Sequence, residues 1–144
     1  MDIESEIRKI IELQLDRGKK FIIYPFGKVG LEYKKIMHDV YGIKDIIILD
    51  NKISKYNSEI HGLSYCKKLN KDDYVIFIAS TNIEIYDELK KNALNYFQED
   101  DIVEMDSMKE IMSPKMKIVR MQENKKIEKE KYLLEKEKKI HILK

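Results

Sequence analysis

Cysteine is almost missing from this chain. Only Cys66 occurs among 144 residues, so no intrachain disulfide can form and no zinc site can be assembled from thiolates. The lone thiol is expected half-buried in a turn, without a reactive role. Histidine is nearly as sparse. His38, His61 and His141 lie far apart, with neither His-x-x-x-His spacing nor a carboxylate at metal-ligand spacing, which leaves metal catalysis little support. No apolar run reaches the roughly 18 residues of a membrane span, and the N-terminus is acidic and amphipathic where a secretory leader would be basic and then apolar. A cytoplasmic protein with no membrane span and no signal peptide is therefore expected. A dominant charge is lacking too: 38% of residues are charged, yet the net charge is only +2, so the overall balance identifies no partner.

What is present suffices for one core and does not require two full domains, with 43% of residues hydrophobic. Charge divides the chain: residues 1–114 carry 17 Lys+Arg against 21 Asp+Glu, whereas residues 115–144 carry 11 against 5. A domain over 1–114 and a charged helical extension over 115–144 are expected. In the first, Ile3, Ile7, Ile10, Ile11 and Leu15 recur at helical spacing between a capping Asp2 and a terminating Gly18, which predicts a helix over 3–17. The apolar run 20–24, bounded by proline and glycine, predicts a central strand. A helix over 28–40 is expected to bury Val29, Leu31, Ile36, Met37 and Val40 and to end at Gly42. Asp45 to Leu49 predicts a second strand and Asp73 to Ala79 a third, with a loop over 51–72 carrying short strands around Ile60 and Leu63-Ser64-Tyr65. Ser80, Thr81 or Asn82 caps a helix over 82–96 whose inner stripe is Ile85, Leu89 and either Ala93 or Tyr96. A short strand at 101–105 follows, then a helix opened by the capping box Ser107 to Glu110 and an edge strand at Met116 to Val119. Residues 122–139 are rich in Glu, Lys, Leu and Ile and predict a helix supported by pairs such as Glu135 to Lys139, with a thin apolar seam of Ile127, Leu133, Leu134 and Ile140.

The chemistry lies in Phe21-Ile22-Ile23-Tyr24-Pro25-Phe26-Gly27-Lys28-Val29-Gly30 and in Asp50, which closes the apolar run Ile46 to Leu49. Strand, glycine turn, helix, strand and terminal acid is an order that presents a nucleotide to backbone amides. Three glycines in such a turn serve the bend, the close approach of backbone to pyrophosphate, and the packing of helix on strand. Here Gly27 and Gly30 hold the second and third places. Pro25 holds the first, where it fixes φ near about −65° and removes an amide donor. The remaining amides, the helix N-terminus and the Lys28 ammonium form an anion site. Asp50, 20 residues beyond Gly30, is placed to accept from ribose hydroxyls and to repel a 2'-phosphate, which disfavours NADP. Ser80 and Thr81, at the tip of the third strand, are placed to touch a ribose or phosphate, and helix capping explains them equally well. The same pattern also fits a nucleotide-shaped domain whose site is empty.

Together, Ile-Ile-Tyr-Pro-Phe-Gly-Lys-Val-Gly, Ile-Leu-Asp-Asn, Glu59-Ile60-His61-Gly62-Leu63 and Tyr74-Val75-Ile76-Phe77-Ile78-Ala79-Ser80 resemble the Rossmann-like nucleotide-binding domains of bacterial surface-carbohydrate proteins. Those include the N-terminal domain of sugar O-acyltransferases and domains attached to glycosyltransferases or FkbM-type methyltransferases. The resemblance covers roughly residues 19–105. It implies an α/β fold, a three-layer Rossmann-like parallel sheet with added N- and C-terminal helices, and a nucleotide-sugar or dinucleotide site at Gly27, Lys28, Val29, Gly30, Asp50 and Asn51. Pro25 departs from the usual glycine, and the left-handed β-helix repeat of the acyltransferases is absent, so their catalysis does not carry over.

The function expected is non-catalytic binding of a nucleotide or nucleotide-sugar by an accessory domain of carbohydrate or cell-envelope metabolism, with nucleotide-sugar, NAD and S-adenosylmethionine all open as ligand. Alternatives are a fragment of an NAD-dependent dehydrogenase or epimerase or of a SAM-dependent methyltransferase, and a scaffold or dimerisation module with an empty site. A short-chain dehydrogenase needs Tyr-x-x-x-Lys, in which lysine lowers the phenol's pKa. Tyr86 to Lys90 and Tyr132 to Lys136 match, as chance allows in a chain of nine tyrosines and frequent lysine. The basic tail is read as a solvated helix first and a homodimer contact second. Nucleic acid comes last, because glutamates interleave the lysines and no aromatic platform accompanies them.

Overall fold

The computed structural model describes residues 2–143, with side chains through Lys138. Ile140, His141 and the Glu135 to Lys139 pairing lie outside the described side chains. The chain divides into two compact units, residues 1–108 and 109–144.

The first unit opens with α1 (Ile3–Asp16), started by the Asp2 carboxylate, which accepts from the Ser5 amide at 2.7 Å. It ends at Gly18, whose φ of +70° is the left-handed conformation that stops a helix. Then come β1 (Lys20–Tyr24), α2 (Lys28–Asp39), β2 (Ile46–Ile48), β3 (Tyr74–Ile78), α3 (Ile83–Leu94), β4 (Ile102–Val103) and α4 (Asp106–Ile111). The four strands form one all-parallel sheet in the order β2-β1-β3-β4, with Ile22 opposite Ile47 on one side and Ile76 on the other. A mixed α/β fold with flanking helices is therefore present.

The central position of β1 and β3 explains their composition. Phe21 to Tyr24 and Val75 to Ile78 are buried without interruption, because a parallel strand covered on both faces has no polar side. Each large apolar side chain withdrawn from water contributes about 1.5–3 kcal/mol. Tyr33 of α2 packs on Phe77 with ring centroids 5.4 Å apart, and Phe21 meets Phe77 edge-on at 5.2 Å. From α3, Asn92 donates to the Tyr24 hydroxyl at 3.4 Å.

Several packing expectations are corrected. Leu31 and Val40 are exposed and Tyr33 takes their place in the core of α2, because the buried arc runs through Gly30, Tyr33, Ile36 and Met37. In α3 the buried residues are Tyr86 and Ala93, while Ile85 faces solvent. Leu63-Ser64-Tyr65 is part of a 3-10 turn over Leu63–Lys68, where buried Leu63 and Cys66 anchor the segment to the core. Strand-like pairing near Ile60 is limited to a single parallel bridge between Leu49 and His61. Cys66 is fully buried, which pushes its thiol up to about 11. Ser107 lies inside α4 and donates to the Glu6 carboxylate at 2.7 Å, so it is not the cap of that helix.

The second unit is dominated by α5 (Pro114–Leu143). Met116 to Val119 belong to this helix and not to an edge strand, since Pro114 occupies its first position, where a missing amide costs nothing. Every described side chain from Met121 through Lys138 is exposed.

Candidate functional site

The strand order places β1 between strands reached by chain running in opposite directions, β2 on one side and β3 on the other. In open parallel sheets ligands bind beyond the carboxyl ends of the strands at such a switch point. The residues there are Pro25 to Gly30 after β1, Asp50 and Asn51 after β2, Ser80 and Thr81 after β3, and Glu104 after β4.

Gly27 and Gly30 do different work. A Cβ on Gly30 would come within 2.7 Å of the Pro25 carbonyl oxygen and 3.3 Å of Ile23 Cγ2, so glycine there is what lets α2 lie against β1. Gly27 is the N-cap of α2, with φ −121° and ψ −154°, and nothing lies within 4 Å of its would-be Cβ. Neither sterics nor a positive φ explains glycine at that position, and the space beside its backbone is open. No side chain caps α2 and no acid lies in its first turn. The amides of Gly27, Lys28, Val29 and Gly30 make no hydrogen bond to the protein. By contrast, Asp2 caps α1 and Asn82 caps α3, accepting from the Glu84 amide at 3.0 Å. The Lys28 side chain is exposed at the same place.

Asp50 is brought directly to this turn. Its Oδ2 accepts from the Phe26 amide at 3.0 Å, while Oδ1 accepts from the amides of Lys52 and Ile53, both at 2.9 Å. A carboxylate offers about four acceptor positions, so roughly one remains. Only 9% of Asp50 is exposed. It therefore braces the glycine turn against the loop after β2, a task that its position at a strand tip does not reveal. Asn51 is committed in the same way: its side-chain oxygen accepts from the Leu63 amide at 2.8 Å, with Gly62 leaving room for it. Ser80 is buried and its hydroxyl accepts from the Asn82 amide at 3.1 Å, while Thr81 is exposed at the tip of β3. Helix capping in this segment is done by Asn82.

Two groupings at this end of the sheet escape sequence reasoning. Tyr86 donates to Glu104 Oε1 at 2.9 Å, and Lys90 reaches Glu104 Oε2 at 3.2 Å and Glu99 at 3.3 Å. Burial, then the Glu104 charge, pushes the Tyr86 phenol up, whereas in Lys90 burial is outweighed by Glu104 and Glu99, which hold its ammonium above its ordinary range. The Tyr86 to Lys90 spacing thus serves an ion-pair network around the buried Glu104 carboxylate, in which a phenol with a raised pKa is a poor proton donor to any substrate. The second grouping is a stacked pair, His61 on Tyr65, with centroids 4.1 Å apart and planes 6° from parallel.

Two described surface clefts lie elsewhere. One of about 320 Å³ is lined by Lys71, Tyr96 and Phe97 among others, near the amino end of β3, and one of about 260 Å³ lies along Glu32, Lys35 and Asp39 of α2. Neither includes the glycine turn. Polar groups converge on the turn, where the Asp50 carboxylate, the free amides of 27–30 and the Lys28 ammonium meet. Among the described residues, no group of three or more His, Cys, Asp or Glu is placed to hold a metal ion, and no helix is long and apolar enough to cross a membrane.

No known protein-family model, curated protein or solved structure matches this chain.

Proposed function

We propose that the first unit is a Rossmann-like, three-layer domain that binds a nucleotide or nucleotide-sugar at the turn Gly27 to Gly30 without catalysing a reaction on it. The observation that carries this is the pairing of an open, unhindered Gly27 backbone with four unpaired amides at the start of a 12-residue helix, next to the Lys28 ammonium. Support for three layers comes from alternation: Phe77, met by α2, and Tyr24, met by α3, fall on opposite faces in the strand register. Asp50 offers its remaining acceptor position to a ribose hydroxyl, and exposed Thr81 lies at the neighbouring strand tip. The resemblance in sequence supports an accessory role in bacterial carbohydrate or cell-envelope metabolism.

A second reading has its own observation. The Asp50 carboxylate already occupies the Phe26 amide and brings negative charge to the turn, which suits a scaffold whose site has closed on itself. A thermal-shift panel of NAD, S-adenosylmethionine and a UDP-sugar separates the two. Binding raises the melting temperature of the wild type by several degrees at saturating ligand, and Lys28→Glu, an exposed substitution that the helix N-terminus tolerates, abolishes the rise. A panel without any shift favours the closed scaffold.

A further inference from the structure

We propose that the His61 ring, backed by Tyr65, is the stacking platform for the base of the nucleotide; this rests on the reading of the Gly27 turn as its phosphate site. The two rings are parallel, and Tyr65 covers one face of the imidazole of His61, a residue that is exposed although one ring face is stacked. The Lys68 ammonium lies 5.9 Å from the Tyr65 centroid and adds a cation to the stack. Flat aromatic faces take up bases of any identity, because every base has a π-face.

The platform is held in place before any ligand arrives. The His61 carbonyl accepts from the Asp50 amide at 2.9 Å, the Asn51 side chain pins the Leu63 amide, and Leu63 and Cys66 are buried beneath the turn that carries Tyr65. Its position also fits the order of parts in a nucleotide. The Phe26 amide donates to the Asp50 carboxylate and the Asp50 amide donates to the His61 carbonyl, so the glycine turn, Asp50 and the backbone of His61 are successive neighbours at this end of the sheet, in the order of phosphate, ribose and base. His61 pairs with Leu49 in a parallel bridge, so its ring leaves on Leu49's side, whereas the Asp50 carboxylate turns the other way toward Phe26. A bound nucleotide therefore crosses the carboxyl end of the sheet, with its phosphates at α2 and its base at the β2 edge.

Calorimetric titration of the full chain with ADP, UDP and inorganic pyrophosphate tests this. Both nucleotides are expected to bind, His61→Ala to weaken them about tenfold while leaving pyrophosphate affinity unchanged, and His61→Phe to restore them. Nucleotide binding that is indifferent to His61→Ala overturns the platform and leaves the phosphate site standing. If neither the nucleotides nor pyrophosphate bind the wild type, the phosphate site fails and the platform with it.

Discussion

Gly27 and Gly30 stand three residues apart and answer to different demands, which makes them separable by mutation. Alanine at position 30 drives a methyl group into a backbone carbonyl, so Gly30→Ala is expected to lower unfolding stability by about 1–3 kcal/mol. Alanine at position 27 meets nothing, and its cost is the loss of a favourable N-cap, about 1 kcal/mol or less. Urea denaturation of both variants checks the order. Equal losses would mean that the α2 to β1 approach is looser than described. The two glycines were legible in sequence as a pair, but their division of labour was not, because it depends on how closely the helix crosses the strand. Asp50 shows the same limit: its place at a strand tip could be read from the apolar run before it, whereas the three amides it accepts from come from two loops whose conformations no local pattern specifies.

At the scale of elements, the central strands and the three longer helices of the first unit follow from their patterns. The loop over 51–72 does not, since its 3-10 turns are held by single buried residues such as Leu63 and Cys66 and not by a repeat. The buried tyrosines escape for a related reason: a phenol in a helix reads as amphipathic until its partner is known. Tyr86 has Glu104, whereas the Tyr33 hydroxyl is buried with no hydrogen-bond partner. Burial pushes both phenols up, helped by Glu104 for Tyr86 and by Glu6 for Tyr33. In the unfolded chain they ionise near the ordinary value of 10.0. Their contribution to stability is therefore complete below pH 10 and declines above it, by about 1.4 kcal/mol per pH unit for each phenol that stays protonated only in the fold. Near neutrality Tyr86→Phe is expected to cost about 1–2 kcal/mol, because Glu104 loses a donor, while Tyr33→Phe is expected to be neutral or stabilising. Denaturation from pH 8 to 11 should show a shallower alkaline decline in both variants than in the wild type. A decline of equal slope in all three would contradict the assigned burial.

For the whole molecule, the contrast lies between the two units. The first has a continuous core under a four-stranded sheet, whereas α5 exposes every described side chain from Met121 through Lys138 and spreads its apolar residues around the helix. Helices without a packed face are marginal in water. Hydrogen exchange is expected to protect the amides of β1 and β3 strongly and those of 121–138 weakly, in dilute solution. Strong protection of that stretch, rising with protein concentration, would instead identify the helix as a contact between copies.

The nucleotide reading of the first unit is decided by the backbone amides themselves. In a titration followed by amide nuclear magnetic resonance with UDP, ADP or NAD, the signals of Gly27, Lys28, Val29 and Gly30 should move together and saturate, with β4 and α5 unaffected. If those four signals stay fixed up to millimolar concentrations of every ligand, or if the shifts fall elsewhere on the molecule, the turn after β1 is not a phosphate site.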